Sequence, residues 1–293
     1  MIMEKVFLSV ILSTYNDELY IWDAINSILD QTYPYFELII INDGSTDNTE
    51  NIIKEFNDER IVYVKKENTG LADSLNYGIS LAKYPWIVRM DGDDISFPQR
   101  FEMQVQAITP DVDIIGTNAI RIDEQGKERG VMMMRNKKES IITGLKAAKP
   151  AFIHPTVMIR KSLLEQVGGY DVNFSRGQDY DLWLRCLLLC NNVINIQSPL
   201  LYYRVFINKR MGKSNIINMF IALWGYYNKN EKTLSKEEYE LLRCEIEKKM
   251  IFKVLYFSSR KVYSNRYFFI KKMYNIQAAF LLRLIKFYKY PLF

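Results

Sequence analysis

The sequence predicts an α/β domain built around a doubly wound, mostly parallel sheet. From the N-terminus to residue 90, short β-branched runs alternate with segments of helical periodicity, which is the pattern of βαβ units. The runs are almost continuously apolar, as expected for strands that helices cover on both faces. Polar residues follow the runs directly, at the sheet edge where open α/β sheets bind their ligands.

Four strands and three helices are predicted in alternation in this first section. The strands are expected at 6–13, 38–41, 61–64 and 86–90, and the helices at 19–29, 49–56 and 71–81. Because parallel strands joined by helices have right-handed crossovers, their carboxyl ends should lie at one edge of the sheet. The loops that follow them should therefore line a single crevice.

The rest of the chain divides into two further sections. The first runs from 111 to about 203, and its predicted elements are a strand at 114–120, a helix at 180–189 and a turn at Gly168-Gly169. We expect one domain over 1–210, with two halves that meet near residue 110. The remaining region, 211–293, is predicted to be a helical extension because basic and aromatic residues are interleaved along it.

Composition limits the class of protein. The chain has 293 residues, 48% hydrophobic and 25% charged, which is ordinary for a globular protein and excludes wholesale disorder. Its three cysteines are odd in number and form no CxxC pair, which argues against a disulfide framework and fits a reducing compartment. The start lacks the pattern of a signal peptide, and no run of about 18 apolar residues occurs, so we expect a cytoplasmic protein without a transmembrane segment.

The strongest chemical signal is the run Asp91-Gly92-Asp93-Asp94, directly after the strand predicted at 86–90. Three carboxylates at one strand end repel one another and resist ionisation, and a bound divalent cation relieves that repulsion. Oxygen ligands suit Mg²⁺ or Mn²⁺, and substrate phosphates complete the coordination shell. A solvated acidic turn that caps the next helix is the alternative interpretation.

Polar groups after the first three strands are candidates for ligand binding. They are Thr14, Tyr15 and Asn16 after the first strand, Asn42 and Asp43 after the second, and Asn68, Thr69 and Gly70 after the third. A carboxylate placed like Asp43 accepts hydrogen bonds from a base or a ribose in nucleotide-binding folds. Asn68 offers an amide to a base edge or a phosphate. Capping of the following helix is the alternative role for the loop of Asp43.

Two residues of the second half are candidates for chemistry. Asp179 lies at a predicted helix N-terminus, where the helix dipole stabilises an anion, so it is a helix cap, a base, or both. A base that takes the proton of a hydroxyl must be a carboxylate or a histidine within hydrogen-bond reach. His154, the single histidine, lies in a predicted loop, where it is either structural or a phosphate or metal contact.

Five motifs, in this order, resemble glycosyltransferase family 2, whose members are inverting enzymes of the GT-A fold. The motifs are Ile11-Leu12-Ser13-Thr14-Tyr15-Asn16, Ile41-Asn42-Asp43-Gly44-Ser45-Thr46-Asp47, Asn68-Thr69-Gly70, Met90-Asp91-Gly92-Asp93-Asp94 and Gln178-Asp179-Tyr180-Asp181-Leu182-Trp183. Each motif alone is weak, but five in order over about 7–204 are specific. The resemblance implies a Rossmann-like GT-A sheet, with a nucleotide-sugar half over about 1–110 and an acceptor half over about 111–210.

The resemblance also implies roles for single residues. The nucleotide would be bound by Thr14, Tyr15, Asn16, Asp43, Asn68, Asp91 and Gly92, with Asp91 at the ribose or base. Asp93 would bind Mn²⁺ or Mg²⁺ at the diphosphate, with His154 as a further contact to the metal. Asp179 would be the catalytic base.

Three positions depart from the family pattern. Gln178 stands where relatives often carry Glu, Leu75 where many have Arg, and Phe206 where many have His. Because Leu75 replaces that arginine, recognition of the uracil base of the nucleotide through this position is not expected to follow the family pattern. The loss of the histidine leaves its role to His154 or to water.

The activity that the resemblance implies is transfer of a sugar from a nucleotide diphosphate, expected to be a UDP-sugar, to a hydroxyl of a glycan or lipid-linked acceptor. Synthesis of a bacterial surface polysaccharide is the expected setting. A sugar nucleotidyltransferase and a non-catalytic nucleotide-sugar-binding protein are the alternatives. A phosphatase of the haloacid dehalogenase type would carry its D-x-D on the first strand rather than the fourth. The acidic crevice argues against nucleic acid as a ligand.

The tail over 248–293 mixes Lys and Arg with Phe, Tyr, Leu and Ile, and it contains no Asp or Glu. This composition is typical of a helix that lies peripherally on an anionic membrane, here its inner face. It also fits helices that pack on the domain or on a second copy of the chain in a homodimer, with lysines extending to water.

Sedimentation with anionic lipid vesicles separates the two interpretations of the tail. An interfacial tail should carry the full chain into the vesicle pellet, because basic and aromatic side chains both favour that surface, and truncation after Glu247 should abolish binding. A packed tail should leave both forms in the supernatant.

Overall fold

The computed structural model of the chain describes residues 5–146, 149–174 and 177–206. In these ranges nine strands form one sheet, with helices on both of its faces. None of the helices in the described ranges is long and apolar enough to cross a membrane. The helical extension predicted over 211–293 lies outside the described residues and stays a prediction.

Strands and helices alternate through the first half of the chain, as predicted. The strands are β1 (Leu8–Thr14), β2 (Phe36–Asn42), β3 (Ile61–Lys65), β4 (Trp86–Asp91), β5 (Ile95–Ser96), β6 (Val112–Ile122), β7 (Glu128–Met132), β8 (Met158–Arg160) and β9 (Asn192–Arg204). The helices are α1 (Ile21–Leu29), α2 (Thr49–Lys54), α3 (Leu71–Leu81), α4 (Arg100–Gln106), α5 (Lys138–Lys146), α6 (Lys161–Gln166) and α7 (Gln178–Leu189), and a 3₁₀ turn spans His154–Thr156.

The strand order is β3-β2-β1-β4-β8-β6-β9-β5, and β7 pairs with β6. The first four of these strands are mutually parallel. β8 is antiparallel to both of its neighbours, β4 and β6, while β6 and β9 are parallel. All strands except β5, β7 and β8 therefore point the same way, which is the mostly parallel sheet that the sequence predicts.

Helices cover both faces of the central strand β1. Leu8, Val10 and Leu12 belong to the main hydrophobic core together with the buried face of α1. Ile11 points to the opposite face, where a Cβ added at Gly78 of α3 would lie 2.6 Å from its Cγ2. Burial on both faces explains why β1 and β2 read as continuous apolar runs rather than as alternating ones.

The boundaries of the longer elements agree with the predicted ones to within a few residues. α3 spans 71–81 as predicted, α1 begins at Ile21 rather than at 19, and β4 extends one residue further, to Asp91. β5 and β8 were not predicted. They contain two and three residues, which is too short for a periodic pattern to be recognised.

α4 anchors the strand that carries the acidic run. The fully buried Arg100 donates from Nη2 to the carbonyl of Arg89 at 2.9 Å. Gln104 donates from Nε2 to the carbonyls of Ile115 and Thr156, at 3.0 and 2.9 Å. Because buried carbonyl groups without partners are unfavourable, these bonds join β4, β6 and the 3₁₀ turn into one support.

The close contact between Gly116 of β6 and Asn195 of β9 provides a test of how tightly these two strands pack. Gly116 pairs with Asn195, and a Cβ added at Gly116 would lie 2.1 Å from Asn195 Oδ1 and 2.8 Å from Phe152 Cδ1. Asn195 Nδ2 donates to the carbonyls of Arg135 and Ala151, at 2.7 and 3.1 Å, so the side chain cannot move away without losing these bonds. Gly116→Ala should lower the free energy of unfolding by about 1–3 kcal/mol in equilibrium urea denaturation.

The control is the same change in an Asn195→Ala background. Truncation of Asn195 removes the atom that an alanine at position 116 would meet, so the added cost of Gly116→Ala should be smaller there. An equal cost in both backgrounds would contradict the steric explanation.

Candidate active site

The loops that follow β1 and β2 are joined by hydrogen bonds at the carboxyl edge of the sheet. Asn16 has a φ of 57°, in the left-handed region that Asn tolerates better than most residues. In this conformation its Oδ1 accepts from Thr46 N at 2.8 Å, and its own N donates to Ser45 Oγ at 3.0 Å. Tyr15, which precedes it, exposes 48% of its surface. The predicted ligand-binding residues Tyr15 and Asn16 thus lie on a fixed loop at the crevice.

Asp17 connects the β1 loop to the acidic run. Its Oδ2 accepts from the Thr14 hydroxyl at 2.7 Å and from Tyr15 N at 3.3 Å. A Cβ added at Gly92 would lie 2.6 Å from the same oxygen and 3.1 Å from Thr14 Oγ1. Glycine at position 92 therefore allows the loops after β1 and β4 to touch. Asp17 is not predicted from the sequence, because a single carboxylate one residue beyond the first motif carries no signal of its own.

Asp91, Asp93 and Asp94 come together after β4, with one carboxylate oxygen from each lying within 4.8 Å of the others. Asp94 is buried, and its Oδ1 accepts from Arg204 N at 2.7 Å. Its Oδ2 has no hydrogen-bond partner among the described residues. An orphaned buried carboxylate oxygen beside two further carboxylates is the donor set that a hard divalent cation satisfies. The group therefore fits Mn²⁺ or Mg²⁺.

The electrostatics of this group agree with the repulsion expected from the sequence. Burial, followed by the negative charges of Asp91 and Asp17, raises the pKa of Asp93 to about 7. Burial and the same kind of repulsion, from Asp91 and Asp93, raise the pKa of Asp94 well above its ordinary value. Carboxylates that resist ionisation in this way are stabilised when a cation is added to them.

Arg89 is the positive partner of the acidic run, and it is not among the residues predicted from the sequence. Its guanidinium forms an ion pair with Asp91 through Nη1, and the residue is only 4% exposed. Neither Nε nor Nη1 has a hydrogen bond among the described residues, so the contact with Asp91 is an ion pair. The available signal was the spacing, because residues 89 and 91 lie on the same face of a strand.

Asp43, after β2, is held by the loop that follows β3. Its Oδ1 accepts from Lys66 Nζ at 2.6 Å and from Thr69 N at 3.0 Å, and its Oδ2 accepts from Gly70 N at 2.9 Å. Burial acts to raise the pKa of Asp43, but these hydrogen bonds outweigh it and the pKa is lowered. The ends of β2 and β4 flank β1, so the usual strand spacing separates them by about 10 Å.

Asn68 lies beside Asp43 at the surface of the crevice. Its main chain approaches Gly44 so closely that a Cβ added there would lie 2.9 Å from Asn68 N, and Gly44 has a φ of 74°. The side chain of Asn68 is exposed. The loops after β2 and β3 are thus packed together, and they carry Asp43 and Asn68, the predicted contacts to the nucleotide.

Asp179 lies in the first turn of α7, after Gly177, whose φ is 77°. Burial raises the pKa of Asp179, whereas a hydrogen bond from Tyr180 N and the positive charge of Arg89 act to lower it. The negative charge of Asp91 also acts on Asp179 and raises its pKa. Since such effects require proximity, the structure brings Asp179 within electrostatic reach of both residues of the β4 ion pair.

His154 lies against Tyr170 rather than in the carboxylate group. Its Nε2 is 2.8 Å from the Tyr170 hydroxyl, and its ring contacts Trp183 with 6.0 Å between centroids. Burial, followed by the positive charge of Arg89, lowers the pKa of His154 well below its ordinary value, so the ring is neutral at pH 7. Among the described residues, Asp91, Asp93 and Asp94 lie close enough together to share an ion, and His154 is not part of this group. The metal contact predicted for His154 therefore lacks the required geometry.

The three departures from the family pattern are all placed by the structure. Leu75 is buried and lines a small internal cavity together with Arg89 and Tyr170, so the arginine near this position comes from β4. Gln178 is buried beside Asp179, and its Oε1 has no hydrogen-bond partner among the described residues. Phe206 contacts the ring of Tyr20 edge-on, with 5.9 Å between centroids.

Fold and site together define a glycosyltransferase of the GT-A fold. Residues 9–168, more than half of the chain, match the model described as Glycosyl transferase family 2. The chain therefore belongs to glycosyltransferase family 2, as the resemblance implied.

Known proteins agree with this assignment. The O-antigen biosynthesis glycosyltransferase WbnJ of Escherichia coli is 36% identical over 213 residues, which are 71% of this chain and 82% of WbnJ. Among solved structures, S. aureus TarS 1–349 in complex with UDP matches with a TM-score of 0.64 and 19% identity, over 82% of this chain and 70% of that one. The mannosyltransferase PcManGT from Pyrobaculum calidifontis, in complex with GDP-Man and Mn²⁺, matches with a TM-score of 0.60 and 16% identity, over 96% and 81%. At these identities the two structures establish the fold.

Asp93→Asn should stabilise the metal-free protein at pH 8. Because the pKa of Asp93 in the folded state is about 7, above the ordinary value of 3.8, the folded state holds this proton more tightly than the unfolded state. The wild-type protein therefore loses stability as the pH rises from about 4 to 7, whereas the variant does not. Its free energy of unfolding at pH 8 should exceed that of the wild type by about 1–4 kcal/mol, with no difference near pH 3.

Asp123→Asn is the matched control. Hydrogen bonds from Lys127 N and Arg129 outweigh burial and lower the pKa of Asp123, so this substitution should destabilise the protein at pH 8. Added Mn²⁺ should raise the Tm of the wild type and of Asp123→Asn, and not that of Asp93→Asn. A lower stability of Asp93→Asn at pH 8 would contradict the repulsion in the acidic group.

Proposed function

We propose that this glycosyltransferase is an inverting enzyme that moves a sugar from a nucleotide diphosphate to an acceptor hydroxyl in one displacement. The observation that carries the proposal is the meeting of two groups at one crevice. The carboxylates after β4 fit a divalent cation, and Asp179 lies within electrostatic reach of the same strand end. One displacement needs a single base at the sugar, whereas a double displacement needs a second carboxylate as nucleophile.

The nucleotide part of the donor is proposed to bind along the loops after β1, β2 and β3. Its contacts are Thr14, Tyr15, Asn16, Asp43, Asn68, Asp91 and Gly92. The exposed ring of Tyr15 offers a face for stacking, and Asp91 offers an oxygen to the ribose or base. Asp43 is already held by Lys66 and two backbone N–H groups, so it orders the wall on which the base lies. A UDP-sugar is the proposed donor, supported by TarS in complex with UDP.

The diphosphate is proposed to lie at the acidic group, where Asp93, supported by Asp91 and Asp94, would hold Mn²⁺ or Mg²⁺. PcManGT in complex with GDP-Man and Mn²⁺ supports this choice of cation. When bound, such a cation supplies positive charge to the departing phosphate oxygen, an effect worth several kcal/mol in transition-state stabilisation. Without a cation, three crowded carboxylates would repel a diphosphate.

Asp179 is proposed to be the catalytic base. It takes the proton of the acceptor hydroxyl while the acceptor oxygen forms a bond to the anomeric carbon. The bond from that carbon to the phosphate oxygen breaks, and the nucleoside diphosphate leaves with the electron pair. Because attack is opposite to the leaving group, the configuration inverts. The raised pKa of Asp179, caused by burial, makes its carboxylate a stronger base than an exposed one.

The acceptor is proposed to be a glycan or a lipid-linked sugar of a surface polysaccharide, and the similarity to WbnJ supports this setting. The reaction would then take place in the cytoplasm, at the inner face of the membrane. A donor panel tests the proposal, scored by release of nucleoside diphosphate with and without Mn²⁺. Release of pyrophosphate would identify a nucleotidyltransferase instead, and donor binding without any release would identify a binding protein.

Asp179→Asn should abolish transfer and leave donor binding intact. The amide cannot accept the proton, so the loss of general base catalysis should lower kcat by about 10²–10⁴-fold. The Kd for the nucleoside diphosphate should change little, because Asp179 is proposed to act on the acceptor. Initial rates and titration calorimetry measure the two quantities separately.

The control for this variant is Asp181→Asn, two residues further along α7, whose carboxylate pairs with Arg185 at 2.7 Å. It removes a charge from the same helical turn without touching the proposed base, so kcat should stay within a few-fold of the wild type. Full turnover by Asp179→Asn would end the assignment of the base.

A further inference from the structure

Arg89 is a buried cation in a wall that is otherwise apolar. It lines the internal cavity with Ile11, Leu75, Ile87 and Ile159 among others, and it is only 4% exposed. Removing a guanidinium from water is unfavourable unless a partner compensates for the lost hydration. The largest compensation comes from the carboxylate of Asp91. An apolar side chain of similar size would pack in this wall without that cost, so packing alone does not explain an arginine here.

The main chain at this position is fixed on both sides. Arg89 N donates to the carbonyl of Val157 at 2.9 Å, and its carbonyl accepts from Arg100 Nη2 at 2.9 Å. Side chains two residues apart on a strand project from the same face, so Arg89 and Asp91 meet without any local distortion. The guanidinium is thus held by the sheet, and Asp91 is held by the guanidinium.

The charge of Arg89 acts on more than its direct partner. It lowers the pKa values of Asp93, Asp94 and Asp179, in each case against the effect of burial. Arg89 is therefore within electrostatic reach of the acidic run and of Asp179.

We propose that Arg89 is a positioning residue for the donor. By binding Asp91 Oδ2 it fixes the carboxylate in one orientation, which leaves Oδ1 for the ribose or base of the nucleotide. Without the guanidinium, Asp91 would turn away from its two acidic neighbours and lose that orientation. The inference rests on the proposed function, since it assigns Arg89 to the donor subsite of the same crevice.

Arg89→Met tests the positioning role through a split between KM and kcat. The KM for the donor and the Kd for the nucleoside diphosphate should each rise by about 10–100-fold, the range typical of removing a residue that orients a metal-ligating side chain. The kcat at saturating donor, measured at a pH at which Asp179 is ionised in both proteins, should fall much less, because Arg89 does not contact the reacting atoms. A merely structural role would lower the amount of active enzyme and leave KM and Kd unchanged.

Two further variants keep the test valid if Arg89→Met folds poorly. Arg89→Lys keeps the positive charge on the same strand, so it should recover part of the lost affinity. The double variant Arg89→Met/Asp91→Asn removes both charges, so no unpaired charge is left in the wall. If Arg89 acts through Asp91, the double variant should bind the nucleoside diphosphate as weakly as Asp91→Asn alone, within about twofold.

Arg160→Met is the matched control. Arg160 also lies in the sheet and pairs with a carboxylate, Asp113, at 3.1 Å, but it is opposite Trp86, at the other end of β4 from Asp91. Its replacement should lower the Tm and leave KM and Kd unchanged.

Three outcomes would overturn the positioning role. They are an unchanged Kd in Arg89→Met, no recovery in Arg89→Lys, and losses in the double variant that add rather than overlap. The Kd measurements need no turnover. If no donor releases nucleoside diphosphate with the wild type, the proposed function fails while the binding data still decide the role of Arg89.

Discussion

The ion pair between Arg89 and Asp91 is the contact on which the arrangement of the crevice depends. A guanidinium in an apolar wall requires a carboxylate, and the strand places that carboxylate two residues further along, at the edge of the sheet. One positive charge cannot compensate for all the negative charge gathered there. Asp93 and Asp94 remain crowded and resist ionisation, as their raised pKa values show. The carboxylate group thus fits a divalent cation, which would compensate for the remaining negative charge.

The loops around this strand end are ordered by hydrogen bonds to main-chain groups. Asn16 holds the β2 loop, Asp43 holds the β3 loop, and Asp17 contacts the acidic run where glycine occupies position 92. Such bonds fix the crevice before any ligand arrives, which reduces the entropy lost on binding. Asn16 and Asp43, which are predicted to bind the nucleotide, therefore also have a structural role, since each orders a neighbouring loop.

The side-chain amide of Asn76 is one of the contacts that join the two halves of the domain close to the site. Asn76 of α3 accepts from Tyr170 N and donates to the carbonyl of Tyr170, both at 2.8 Å. Tyr170 in turn contacts His154 through its hydroxyl. Arg185 of α7 donates to the carbonyls of Val167 and Gly169. The segment that leads to Asp179 is therefore tied both to the nucleotide half and to its own helix, which fixes the proposed base relative to the acidic run.

The sequence by itself determined the parallel core of the sheet and the family. The continuous apolar runs predict buried parallel strands, and the five ordered motifs identify the family, and both can be recognised without a structure. It also determined that three carboxylates would lie close together after β4, because Asp91, Asp93 and Asp94 fall within four consecutive residues. Only the tertiary structure decided which groups oppose that charge. β8 inserts between β4 and β6 through three residues, Arg89 points into the wall beneath Leu75, and His154 turns to Tyr170. The pair of Arg89 and Asp91 follows from strand spacing, but the other contacts join residues distant in the chain, and no periodicity predicts such partners.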